Sequence, residues 1–286
     1  MLASKLRYVL KFRHLGLFDL GVKGLFQFQI REHESNRELA PLKLDLTHAY
    51  LGNLPELEFI WKGPTNFLSL GMLDMIHVNG CPKLKVIFSP TILRSLPMLT
   101  RLEIIDCEEL EQIFDLGDAQ SLYTCSQEVC FPNLRTIRVR KCNKLKYLFH
   151  NFVFGSEKEH DLTGLASVEE LDIKECNELK YVFGSEKEHD LRGYQHQSRR
   201  QTNIHIYQIL RLGTLRLIRL PNLLDIWPKY FHPHLPNLKV LICIDCPRLP
   251  DSCVRRVMII DSDLQQDSTA TVIYYSKMVI SLIAHN

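Results

Sequence analysis

One apolar frame recurs along this 286-residue chain and restricts it to stacked architectures. Its clearest copy is Leu99-x2-Leu102-x-Ile104-x2-Cys107-x2-Leu110-x2-Ile113-Phe114. The same spacing holds for Leu73, Ile76, Val78, Cys81, Leu84, Ile87 and Phe88, for Leu134, Ile137, Val139, Cys142, Leu145, Leu148 and Phe149, and for Val168, Leu171, Ile173, Cys176, Leu179, Val182 and Phe183. Two further copies carry Leu in the Cys slot and Trp at the end. These are Leu46, Ala49, Leu51, Leu54, Leu57, Ile60 and Trp61, and Leu212, Leu215, Leu217, Leu220, Leu223, Ile226 and Trp227. A last copy, Leu238, Leu241, Cys243, Cys246 and Leu249, loses the frame at Ser252. A unit this small cannot bury its apolar side alone, so neighbours must stack to share one continuous core, and imperfect first and last copies are the caps such a stack needs.

Within each unit the segment around Ile137-Arg138-Val139 alternates apolar and polar, the period of a strand with one buried face. The Cys or Leu three residues later marks where the chain turns away, and the Leu-x2-Ile-aromatic segment returns along the other side. The first strand positions fall at 49, 76, 102, 137, 171, 215 and 241. The shortest step, 26 residues, lies in the leucine-rich-repeat range of roughly 20–29. The frame therefore predicts an α/β solenoid: a leucine-rich-repeat horseshoe of about seven repeats. It has a parallel concave β-sheet with strands centred on 50, 77, 103, 138, 172, 216 and 242, buried aromatics behind it, and an irregular or short-helical convex side. The array spans 42–250, with 1–41 as an N-terminal cap or partial repeat and 251–286 as a C-terminal cap or tail, where 254–260 and 271–283 are β-prone. Longer steps place insertions at 115–130, 150–164 and 184–208. Two of them carry the same octapeptide, Gly-Ser-Glu-Lys-Glu-His-Asp-Leu, at 155–162 and 184–191, read as a segmental duplication forming solvated charged loops.

The formal net charge of +2 gives no reason to expect nucleic acid or a membrane surface as partner. Five of the nine cysteines share one repeat position, which reads as packing rather than as a disulfide framework. The absence of an Asn-x-Ser/Thr acceptor, a first segment interrupted by Lys5, Arg7, Lys11 and Arg13, and a late apolar run too short to span a bilayer lead to the expectation of a reducing, cytoplasmic setting. Cys243-x2-Cys246 has zinc-like spacing, but Cys243 fills a strand slot and Cys246 the turn slot, with no second pair to complete four ligands. His232, His234, His160, His189, His196 and His205 are read as loop residues. No catalytic, cofactor-binding or metal-ligating residues are expected, and the chain is read as a non-enzyme.

Leu54-Pro55-Glu56-Leu57-Glu58-Phe59-Ile60-Trp61, Leu220-Pro221-Asn222-Leu223-Leu224-Asp225-Ile226-Trp227, Phe131-Pro132-Asn133-Leu134 and Leu235-Pro236-Asn237-Leu238, together with the Cys-bearing frame, resemble the C-terminal leucine-rich repeats of plant nucleotide-binding disease-resistance proteins of the coiled-coil type. The resemblance covers about 42–250. It implies an intracellular protein-recognition role in plant defence. The partner would be a pathogen effector, a host guard target or the receptor's own nucleotide-binding domain. No Gly-x4-Gly-Lys-Ser/Thr loop is present, so nucleotide binding does not carry over. Rival readings are a substrate adaptor of a ubiquitin ligase and a truncated receptor fragment without function.

The polar strand positions are the candidate contacts. Tyr50, His77, Glu103, Arg138, Asp172, Arg216 and Ile242 occupy the strand centres and are expected in one row on the concave face. Glu103, Arg138, Asp172 and Arg216 alternate in sign, so Arg138 is expected to pair with Glu103 and Asp172 at the surface. Ile105, Arg140, Lys174, Ile218 and Ile244 follow two residues on, apolar groups beside charge, as partner sites tend to be.

Overall fold

The computed structural model describes residues 13–27, 42–62, 68–88, 92, 96–114, 131–149, 167–183, 206–208, 211–227, 232–254, 271–276 and 279–283. Ten strands form one open sheet: β1 (His14–Phe18), β2 (His48–Gly52), β3 (Met75–Asn79), β4 (Arg101–Ile105), β5 (Thr136–Arg140), β6 (Glu170–Lys174), β7 (Thr214–Ile218), β8 (Val240–Ile244), β9 (Thr271–Ser276) and β10 (Val279–Ile283). Strands β1 to β9 run parallel in chain order, and β10 turns back antiparallel on β9. The seven expected strand centres, 50 to 242, are the middle residues of β2 to β8.

Two tight turns per unit make this geometry repeat. Before the strand, the amides of Leu99, Leu134 and Leu238 bond the carbonyls of Leu96, Phe131 and Leu235; after it, those of Leu84, Leu110, Leu145, Leu179, Leu223 and Leu249 bond residues Cys81, Cys107, Cys142, Cys176, Leu220 and Cys246. Pro55, Pro82, Pro97, Pro132, Pro221, Pro236 and Pro247 stand second in such turns, where the fixed φ of proline fits. The asparagine after it ties units together: Asn133 Nδ2 donates to the Pro97 carbonyl and Asn222 Nδ2 to that of Asn177, each at 2.8 Å. The Leu-Pro-Asn-Leu units are thus turn chemistry plus one inter-repeat hydrogen bond.

Between strand and second turn, every unit passes through one left-handed residue: Asp19, Asn53, Gly80, Asp106, Lys141, Glu175, Arg219 and Asp245, with φ between 51° and 66°. From Asp19 to Arg219, each of their amides donates to the carbonyl ending the next strand, at 2.8–3.1 Å. This turn points the following Cys or Leu into the core. There Cys107, Cys142 and Cys176 donate their thiol hydrogens to the carbonyls of Ile105, Arg140 and Lys174 at 3.4–3.5 Å, so a small, weak donor occupies a slot that has one local acceptor.

The core lies behind the sheet. Phe88, Phe114, Phe149, Phe183 and Trp227 are buried and stack in sequence, with ring centroids 5.6, 5.9, 5.0 and 4.3 Å apart, and Phe26 stacks on Trp61 at 4.8 Å. Around these rings the side away from the sheet is extended more than helical. Val86–Phe88 pairs with Gln112–Phe114, Tyr147–Phe149 with Tyr181–Phe183, and Gly24–Gln27 with Phe59–Lys62, all parallel. Only residues 251–254 are helical among those described. Aromatic rings in register favour extended segments that lie side by side.

Strands flank the seven expected units at both ends. Within 1–41 the sheet begins at His14, because Leu15-x-Leu17-x2-Leu20 keeps the frame and the chain then reaches Phe26 one residue early. Within 251–286, Thr271–Ser276 extends the sheet as a parallel strand. One expectation shifts. His232–His234 is a short strand paired with Ile206–Gln208, inside the expected 184–208 insertion, rather than a loop. The duplicated octapeptides, His160, His189, His196, His205 and the insertions at 115–130 and 150–164 lie outside the described residues.

Replacing Phe149 by Ala opens a hole between Phe114 and Phe183. The expected loss is about 3–5 kcal/mol in a urea titration, and a loss below about 1 kcal/mol contradicts a core role. At the left-handed position, Gly80→Ala is expected to destabilise by about 1–2 kcal/mol in the same assay. Its Cβ would stand 2.8 Å from Asn53 Oδ1 at φ +66°, whereas Lys141→Gly, at φ 54°, relieves strain and is neutral or stabilising.

Candidate functional site

Strand alternation sends every second side chain of β2 to β8 away from the core, and all twelve candidate residues lie on that open face. Tyr50, His77, Glu103, Arg138, Asp172, Arg216 and Ile242 are register partners in one continuous row. Ile105, Arg140, Lys174, Ile218 and Ile244 form the row beside it. Lys141, adjacent in sequence to this basic group, sits instead in the left-handed turn and reaches Asp106 at 4.0 Å.

The charges pair along the row only from His77 to Arg138, and then leave it. Arg138 reaches Glu103 at 2.9 Å on one side and, diagonally, Glu170 at 3.2 Å on the other. Arg216 also reaches Glu170, at 2.7 Å, and Glu103 also meets His77 Nδ1 at 3.1 Å. The result is a relay His77–Glu103–Arg138–Glu170–Arg216 across five strands. Glu170 is its hub, a residue of the neighbouring row that the reading of strand centres passed over. Diagonal neighbours in a sheet are about 7–8 Å apart, within reach of arginine: Arg138 crosses to Glu170 and Arg140 to Asp172. Asp172, the register partner of Arg138, is taken by Arg140 and Lys174 instead, so the expected Arg138–Asp172 pair is absent and Asp172 is not a surface contact. It is 2% exposed, and its Oδ2 takes Arg140 at 3.2 Å and Lys174 at 3.1 Å.

These contacts are more sheltered than an exposed ladder: Glu103 and Glu170 side chains retain 14% and 24% of their exposure. Partial burial opposes ionisation of Glu170, but the hydrogen bonds and positive charges of Arg138 and Arg216 outweigh it and hold the carboxyl below its ordinary value of 4.5.

The first three strands are different in kind. His14 stacks on His48 with ring centroids 4.7 Å apart, and Tyr50 lies 6.2 Å from both His48 and His77. Phe18, 55% exposed, sets one edge of its ring against its register partner Gly52. A Cβ there would stand 2.5 Å from that ring, so a larger residue at 52 would displace it. The face thus passes from aromatic, through a charged relay, to aliphatic at Ile218, Ile242 and Ile244.

Cys243 and Cys246, the pair with zinc-like spacing, are both held as thiols. Burial raises the thiol of Cys243, and burial also pushes Cys246 up to about 11, helped by the charge of Asp245 and opposed by backbone bonds to Leu220 and Ile244. Both are protonated at neutral pH, which disfavours nucleophilic or ligand chemistry in the folded chain.

The repeat frame, its turn chemistry and the parallel sheet are those of a leucine-rich repeat, and the chain matches the family model "Plant disease resistance protein RPS2-like, leucine-rich repeats" over residues 11–108 and 151–253, more than half its length. The chain belongs to this family. The matched range begins before β1, in keeping with the early start of the sheet, and the Leu134–Phe149 unit between the two matched stretches keeps the same frame in the structure. No curated protein matched the chain. Leucine-rich repeats of resistance proteins carry a protein-recognition role in plant defence.

Because the folded carboxyl of Glu170 is held low, its contribution to stability is whole above about pH 4.5 and is lost as the pH falls through the lower folded value. Wild type is therefore expected to exceed Glu170→Gln in thermal stability at pH 7, with the gap closing on acidification below pH 4.5. A gap that is constant from pH 7 to pH 3 contradicts the relay.

Proposed function

We propose that this chain is a non-enzymatic recognition module that binds protein on the open face of its sheet, inside the plant cell, as part of defence sensing or its regulation. The partner is a pathogen effector, a host protein under guard, or the nucleotide-binding domain of a coiled-coil-type receptor. The observation that carries this reading is the His77–Glu103–Arg138–Glu170–Arg216 relay, set between an aromatic platform and an aliphatic flank on a face whose backbone is held at every unit by inter-repeat hydrogen bonds. Such a face presents charge and apolar area already in place, so binding loses little conformational entropy. Arginines with aromatic neighbours are also where binding energy concentrates.

The test is proximity labelling in plant cells. It compares the wild-type chain, the triple variant Arg138→Met, Glu170→Gln, Arg216→Met, and a deletion of residues 184–191. The triple variant removes the Arg138–Glu170–Arg216 half of the relay together and leaves Glu103 its His77 contact. The labelled proteins are expected to be lost with the triple variant and kept with the deletion. The opposite pattern assigns recognition to the duplicated segment and overturns the choice of face.

A further inference from the structure

Beside the relay lies a second row that it does not use. Ile105, Arg140, Lys174, Ile218 and Ile244 are consecutive register partners on β4 to β8. Arg140 and Lys174, 41% and 26% exposed, converge on a single oxygen of Asp172, and Asp172 itself is sunk beneath them with its side chain 3% exposed. Its other oxygen, Oδ1, is buried without a hydrogen-bond partner. Two cations share one carboxylate, so this spot carries one uncompensated positive charge. The whole described face leans the same way: Arg101, Arg138, Arg140, Lys174 and Arg216 stand against Glu103, Glu170 and Asp172.

We infer that this row is a docking site for an extended protein segment carrying one Asp or Glu with an apolar residue two positions away on either side. The inference rests on the reading of this face as the recognition surface and names what that surface takes. Charge complementarity selects the carboxylate, which meets Arg140 and Lys174 where Asp172 leaves them half satisfied. The spacing selects its neighbours. Adjacent strands lie about 4.8 Å apart, so Ile105 and Ile218 each stand about 7 Å from the midpoint between Arg140 and Lys174. Residues two apart in an extended segment are separated by about 6.6–6.8 Å and point the same way. A segment crossing the strands with its carboxylate over the two cations therefore sets its flanking apolar side chains on Ile105 and Ile218, and a further one on Ile244. The buried Asp172 orients both cations without competing at the surface.

The probe is a phage-displayed library of random peptides selected against the full chain. Enriched peptides are expected to share apolar-x-Asp/Glu-x-apolar. Their binding is expected to fall by about tenfold in the variant Arg140→Gln, Asp172→Asn, Lys174→Gln, which removes the buried charge with its partners. Lys144→Gln, an exposed cation paired with Glu109 away from this face, changes net charge equally and is expected to bind as wild type. If the triple variant melts early, Arg140→Gln alone, which leaves Lys174 on Asp172, gives the same readout at smaller size. Selection of basic or uncharged peptides, or of none, overturns the inference, as does acidic-peptide binding that ignores these variants. If such binding still needs Arg138 and Arg216, the face stands and only the row is wrong; if it ignores those as well, both readings fall.

Discussion

Each unit of this array is closed by one residue in the left-handed conformation, and the rest of the structure depends on that turn. It ends the strand, aims the next Cys or Leu inward, and frees its own amide to bond the end of the following strand, from Asp19 on Gly52 through Arg219 on Ile244. Left-handed backbone costs an ordinary side chain about 1–2 kcal/mol. Asp, Asn and Gly meet it at reduced cost at five of the eight positions, whereas Lys141, Glu175 and Arg219 meet it only because the stack over-determines them. All three also find charge partners one unit away, Lys141 on Asp106, and Glu175 and Arg219 on each other. The strain is local and the compensation comes from the neighbour, so the units hold one another in register.

That registration is what makes the open face specific. A relay of charges across five strands requires each side chain to arrive at the same height as its neighbour, and a slip of one residue would turn the entire set into the core. The same registration stacks Phe88, Phe114, Phe149, Phe183 and Trp227 behind the sheet. Core and open face are therefore two sides of one constraint. Substitutions in the aromatic column are expected to disturb the face without touching it.

The strand centres and the buried aromatics were legible from spacing alone, because seven apolar positions per unit leave no second way to fold. Tyr50 to Ile242 fell in one row for the same reason. The first unit was hidden by a single missing residue between Leu20 and Phe26, enough to break a spacing rule but not a stack. The pairing of charges was hidden because both arginines of β5 reach diagonally, Arg138 to Glu170 and Arg140 to Asp172. Sign alternation along the row suggested Arg138 with Asp172, yet arginine reaches across the diagonal to Glu170 while the aspartate stays below the surface with Arg140 and Lys174. Gly80, Asn53, Asp19, Asp106 and Asp245 did signal the left-handed turn, since these residue types tolerate it; Lys141, Glu175 and Arg219 masked the pattern at the centre of the array.

Hydrogen exchange on the free chain tests most directly whether the inter-repeat turns hold the open face. The amides of Asn53, Gly80, Asp106, Lys141, Glu175 and Arg219 are expected to be protected to the same degree as those of the adjoining strands, with turn and strand opening together as one unit. Turn amides that exchange orders of magnitude faster than Leu102, Ile137 and Leu171 in the strands beside them would show that the turns do not tie one repeat to the next, and would contradict the account.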